Sequence, residues 1–215
     1  MQQHDPANMS VNDFVVRPGE AEKTAADMVV AVRSAKLATH FSVMEGEVRP
    51  NELLGFHTHS NEDQHMYIIN GELHFEVGGA GGLRFTAGAG CHVLKPRGSS
   101  HGFWNLSKET VRYVETSTQD GFEKFVDSRE AGIGSMIGAG SGELGMSFET
   151  GRSVEVMKEF GLTGLAGANI SDPRELIKDP AFRQLVAENE DIRELVLYLG
   201  GAKIRQALRD FLPHR

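Results

Sequence analysis

His57 and His59 stand on alternate residues, and a third histidine, His101, follows the turn Pro96-Arg97-Gly98 some forty residues later. Residues i and i+2 of a β-strand project from the same face, so the first pair can reach a single divalent ion together. His101, delivered by a separate strand, completes a face of three imidazole nitrogens and leaves other coordination positions open. Open positions distinguish a catalytic metal site from a structural one. The chain must therefore fold so that two sequence-distant strands meet side by side.

The first segment reads Gly55-Phe56-His57-Thr58-His59-Ser60-Asn61-Glu62-Asp63-Gln64 and leads to Gly71. The second runs from Gly90 through Pro96, Gly98 and His101 to Asn105. In order and spacing these resemble the two motifs of the cupin superfamily, and most of all its small quercetinase-like, single-domain members. The likeness extends from about Phe41 to about Ile170, including Phe41 to Val48 before the barrel's first turn and Gly121-Phe122-Glu123-Lys124-Phe125 after it. It implies a mainly β fold: a single cupin barrel (a double-stranded β-helix, jelly-roll-like). It also implies one divalent transition metal per chain, held by His57, His59, His101 and the residue at 64. Iron is the first expectation, with nickel, manganese, copper and zinc as alternatives. Where the family usually places a glutamate, this chain has Gln64. A glutamine carbonyl can bind a metal, but the amide is neutral and accepts no proton, so a carboxylate-base mechanism is not available at this position. Asn105 is expected to hold the turn after the third ligand.

Strand parity maps the pocket. With Gln64 inward, Met66 and Ile68 point inward and His65 outward; with His101 inward, Phe103 follows and Trp104 faces out, under a helix or a partner subunit. Val93 and Lys95 share an inward face. A lysine inside an apolar barrel is costly unless paired or deprotonated. Lys95 therefore either snorkels to the rim or joins Gln64 as a catalytic residue, binding an anionic substrate group or acting as a base.

Around the barrel, 215 residues suffice for one core plus an appendage. Residues 1–35 read as a tail with a short helix over 19–32, built on Glu20, Ala21, Ala25, Ala26 and Met28. Residues 36–130 read as the barrel, with Gly78 to Gly82 as a hairpin turn. Residues 131–171 read as a glycine-rich connector or lid followed by a helix closed by Gly161, and residues 172–215 as a C-terminal α-helical appendage. In that appendage Asp172-Pro173 and Asp179-Pro180 mark helix starts, and Ile192, Leu195, Val196 and Leu199 form one apolar stripe and Ile204, Leu208, Phe211 and Leu212 another.

The net charge of −8 argues against nucleic acid and anionic membranes as partners. No run approaches a membrane span, no secretory leader is visible, and the lone Cys91 fits a reducing, cytoplasmic setting. The appendage stripes and Trp104 suggest a homodimer. These features lead to an expectation of a metal-dependent oxygenase, dioxygenase-like, acting on a small molecule that chelates through two oxygens, such as an enol, a diketone or a hydroxylated aromatic. A non-redox isomerase, cyclase or lyase stays open, as does a ligand-binding protein without turnover.

Overall fold

In a computed structural model, residues 10–24, 26–36, 39–128, 141–167, 178–201, 204–206 and 208 are described. After a one-turn helix α1 (Val11–Phe14) come ten strands: β1 (Glu22–Lys23), β2 (Met28–Val32), β3 (Phe41–Val48), β4 (Glu52–His59), β5 (Gln64–Ile68), β6 (Glu72–Val77), β7 (Leu83–Gly88), β8 (His92–Lys95), β9 (His101–Trp104) and β10 (Val111–Thr118). The chain continues through α2 (Gly121–Asp127), a 3-10 turn at Ser141–Leu144, β11 (Met146–Phe148), α3 (Thr150–Phe160), β12 (Gly164–Leu165), α4 (Pro180–Glu188) and α5 (Glu190–Leu199).

Two sheets face each other. One has the order β1-β2-β3-β10-β5-β8 and the other β11-β4-β9-β6-β7, all antiparallel, with β12 added parallel to β4. Alternation does most of the work: β10 buries Val111, Tyr113, Glu115 and Ser117, and β5 buries Gln64, Met66 and Ile68. The core between the sheets contains Met44, Met66, Ile68, Leu73, Phe75, Val93, Phe103 and Tyr113. The hairpin expected at Gly78–Gly82 joins β6 to β7; Gly78, Gly79 and Gly81 all take positive φ there.

Among the described residues, the helix expected over 19–32 does not form. That stretch forms β1 and β2 and pairs with β3 as part of the first sheet. Val29, Val30 and Val32 suit a strand, since β-branched side chains are stiff at χ1 and fit a pleated surface, and the pairing with β3 outweighs the alanines and glutamates before them.

A second apolar cluster lies outside the other sheet, where Leu53, Phe56 and Trp104 meet Val154, Met157 and Leu162. Trp104 thus faces out, as parity implies, and is covered by α3, with the Phe160 ring 5.0 Å away. Glu76 also points outward from β6 yet is fully buried, gripped by Arg84 and Arg152; these bonds pin α3 to the sheet. Gly161 ends α3 in the left-handed conformation. Asp179 caps α4 by accepting from the Ala181 amide. Ile192, Leu195 and Val196 are buried, Leu195 against the α3 cluster and the other two with Phe182 and Val186. The first appendage stripe is therefore covered within the chain. Asp172-Pro173, Phe211, Leu212 and most of the glycine-rich connector lie outside the described residues.

Candidate metal centre

The two histidines of β4 face the interior only because the strand slips. In the register with β9, Leu54 pairs Phe103 but His57 pairs His101, so β4 spends one more residue than its partner between these points. Such a bulge re-aims the side chains beyond it. Before it, Leu53 lies in the outer cluster; after it, Phe56 lies outside and His57 and His59 turn inward. The Phe56 ring lies across Gly102 of β9, where a Cβ would come within 2.8 Å of it. The loosened backbone is satisfied by α3: the Phe56 amide donates to Ser153 Oγ (2.8 Å) and the Glu149 amide donates to the Phe56 carbonyl (2.9 Å).

His57, His59 and His101 meet there, all buried, each offering a ring nitrogen within 4.8 Å of the others'. Ring centroids are 4.9 Å apart for His57–His59 and 4.4 Å for His57–His101. Burial, then the neighbouring His59 and Lys95, holds His57 well below the usual histidine pKa; burial and Lys95 bring His59 down to about 3; burial, His57 and Lys95 lower His101 likewise. All three rings are neutral at ordinary pH, the form that binds metal. His57 Nδ1 donates to the Gly55 carbonyl (2.7 Å) and His101 Nδ1 to the Ser99 carbonyl (3.0 Å), leaving Nε2 of each as the lone-pair nitrogen. His101 Nε2 and both nitrogens of His59 are buried without a hydrogen-bond partner. Orphaned neutral nitrogens converging on one point fit a divalent transition metal.

The neighbours of the triad divide clearly. Gln64 is buried, gives its amide N–H to Ser117 Oγ (3.0 Å), and leaves Oε1 unpartnered. Glu62 is buried beside the triad. It accepts from the Gly121 and Phe122 amides at the start of α2, with one oxygen 3.5 Å from His59 Nδ1. Burial raises its pKa against those two amide bonds. Asp63 pairs with Arg97 at the surface. His65 faces away from Gln64, bonded to the His92 ring (2.8 Å), and His74 stacks on Trp104. Asn105 does hold its turn, donating to the Val48 and Glu109 carbonyls and accepting from the Ser107 amide. Cys91 is exposed in the turn before β8.

Lys95 does not snorkel. It is 1 % exposed and paired with Glu115 inside the barrel, its ammonium 5.4 Å from the Phe103 ring centroid. Burial lowers its pKa, opposed by Glu115. Met66, Ile68, Val93 and Phe103 are all buried on the inner faces. Glu115 had a signal in the sequence that went unused: the inward parity of Val111, Tyr113 and Ser117 puts an acid inside the barrel on β10, two strands from Lys95 in the same sheet. Ser153 has no local signal.

Residues 44–117 match the Cupin domain family. That segment, from β3 to β10, is a cupin domain. The fold is mainly β, two antiparallel sheets with the cupin domain at their centre, and helical elements follow it in the chain. No curated protein matches the chain. Among solved structures, this chain is similar to a protein with a double-stranded β-helix domain from Klebsiella pneumoniae (21 % identity, 53 % of this chain, 90 % of the other, TM-score 0.38). It is similar also to a predicted oxalate decarboxylase from Thermotoga maritima (21 %, 49 % and 98 %, 0.41) and to a putative sugar phosphate isomerase from Acidithiobacillus ferrooxidans (15 %, 52 % and 74 %, 0.38).

Two expectations follow from this centre. Ser153→Ala leaves the buried Phe56 amide unpaired at a cost of about 1–3 kcal/mol; urea denaturation measures it, and metal affinity falls with it because the bulge aims His57. The pH dependence of the metal-free protein has a definite sign. His59 titrates near 3 when folded and near 6.5 when unfolded, so below about pH 6.5 the unfolded chain binds more protons. Stability is full above that pH and declines as pH drops toward 3; a melting temperature flat from pH 7 to pH 4 would contradict the buried neutral triad.

Proposed function

We propose that this cupin is a metal-dependent oxygenase, dioxygenase-like, whose substrate is a small organic molecule chelating through two oxygens: an enol, a diketone or a hydroxylated aromatic. The observation that carries the reading is the cluster of three neutral, buried histidines with unspent nitrogens and no carboxylate among them. His57, His59 and His101 would hold the metal, with Gln64 Oε1 as a neutral fourth donor. Iron is the preferred ion, and nickel, manganese, copper or zinc are alternatives. A divalent ion on neutral ligands would supply an electrophilic centre for an anionic chelate and, where redox-active, electrons for O₂. The protein's own part is to exclude water and orient the substrate: Phe103 offers a ring face, and Met66, Ile68 and Val93 give an apolar wall.

The buried Lys95–Glu115 pair favours a second reading, a non-redox isomerase, cyclase or lyase, because it places a proton donor and acceptor inside the same barrel. An oxygen electrode with metal-loaded protein and a panel of chelators separates them. O₂ uptake coupled to product supports the oxygenase, turnover under argon the second reading, and no turnover with tight binding a ligand-binding cupin.

Gln64 tests the chelate mechanism itself. Gln64→Ala is expected to raise the barrier by less than about 2 kcal/mol, near the loss of one hydrogen bond. Gln64→Glu keeps the metal but repels an anionic substrate, raising KM. Faster turnover in Gln64→Glu with unchanged KM would favour a carboxylate base instead.

We also propose a homodimer in a cytoplasmic setting. Its support is now Tyr67, Ile69 and Leu94, exposed on the first sheet, rather than the appendage stripe; light scattering gives the mass.

A further inference from the structure

The inner face of the first sheet carries a polar row opposite the histidines. Lys95 of β8 pairs Gln64 of β5, Gln64 pairs Ser117 of β10, and Ser117 pairs Ser42 of β3, so four adjacent strands place four polar residues at one level. All four are at least 97 % buried. The triad belongs to strands β4 and β9 of the other sheet, so a molecule on the metal would lie between the two sets.

The row is incompletely satisfied. Ser42 Oγ and Gln64 Oε1 have no partner. The Lys95 ammonium, with three donors, makes one hydrogen bond among the described residues, to Glu115. Buried polar groups left open in this way are costly unless a ligand completes them. The open groups mix donors and an acceptor, and Glu115 already balances the lysine charge. A second carboxylate would meet repulsion there, whereas a hydroxyl or carbonyl oxygen would not.

We propose that Ser42 and Lys95, on either side of the Gln64 that would donate to the metal, form a hydrogen-bonding subsite that receives a neutral hydroxyl or carbonyl oxygen on the substrate, away from its chelating pair. This rests on the chelate reading above and narrows its substrate class to chelators that carry a further, uncharged hydroxyl or carbonyl oxygen.

Calorimetry on the metal-loaded protein under argon tests it with catechol, the two triols pyrogallol and 1,2,4-benzenetriol, and the acids 2,3- and 3,4-dihydroxybenzoate. At least one triol is expected to bind about tenfold or more tighter than catechol, as for a site that pairs a substrate hydroxyl, and neither acid is. That preference should fall below about threefold in Ser42→Ala and in Lys95→Met/Glu115→Leu, with elemental analysis confirming that both variants keep their metal. The double variant avoids stranding a buried charge. Triols no tighter than catechol, acids bound more tightly, or a preference that survives both variants would overturn the subsite. Failure of catechol itself to bind would sink the chelate reading, and the subsite with it.

Discussion

Purified protein is expected to carry close to one divalent transition metal per chain, and His57→Ala or His101→Ala to carry none after dialysis. Each histidine is positioned by a different device: His57 by the β4 bulge and the Gly55 carbonyl, His101 by the Ser99 carbonyl after the Pro96-Gly98 turn. Neither can be replaced by a neighbour, since His65 and His92 point out of the barrel and bond to one another. Outer partners of metal ligands alone are worth about 10–100-fold in affinity, so removal of a ligand should exceed that. Elemental analysis reads the outcome, with His65→Ala as the control that keeps its metal. Full occupancy in both triad variants would show that the ion sits elsewhere.

The triad was legible because its signal is local on each side: alternate histidines in one strand, a turn and a histidine at the start of another. Strand parity beyond it was also legible, giving the inward Met66, Ile68, Val93 and Phe103 and the outward Trp104. The bulge was not. Straight alternation from Leu54 would have put Phe56 inside and both histidines outside, and nothing in Gly55-Phe56 declares which residue slips. The slip is settled by partners far along the chain, Gly102 beneath the Phe56 ring and Ser153 on its amide. The N-terminal strands were misread for a related reason. Residues 28–32 have modest local preference, and their pairing with β3 supplies what decides it. Glu115 and Glu76 show the same limit, each an acid made tolerable inside by a cation from another element.

Lys95→Met is expected to destabilise the fold by about 3–5 kcal/mol, a fall of roughly 6–20 °C in melting temperature for a chain of this size. Methionine fits the volume, so packing is not the source of the loss. The loss comes from Glu115, 2 % exposed and without its counter-charge. Removing both charges should behave differently, because a buried ion pair gains little over apolar groups of similar shape once both ions' desolvation is counted. Lys95→Met/Glu115→Leu should therefore match or exceed wild-type stability in urea. If the single variant proved as stable as wild type, the pair would not be a buried one. If the double variant is the more stable and keeps its metal but loses activity, the pair is maintained for the chemistry of the barrel and not for its stability. The protein would then hold two charges in its core at a cost in stability, as expected where a site uses them on a substrate.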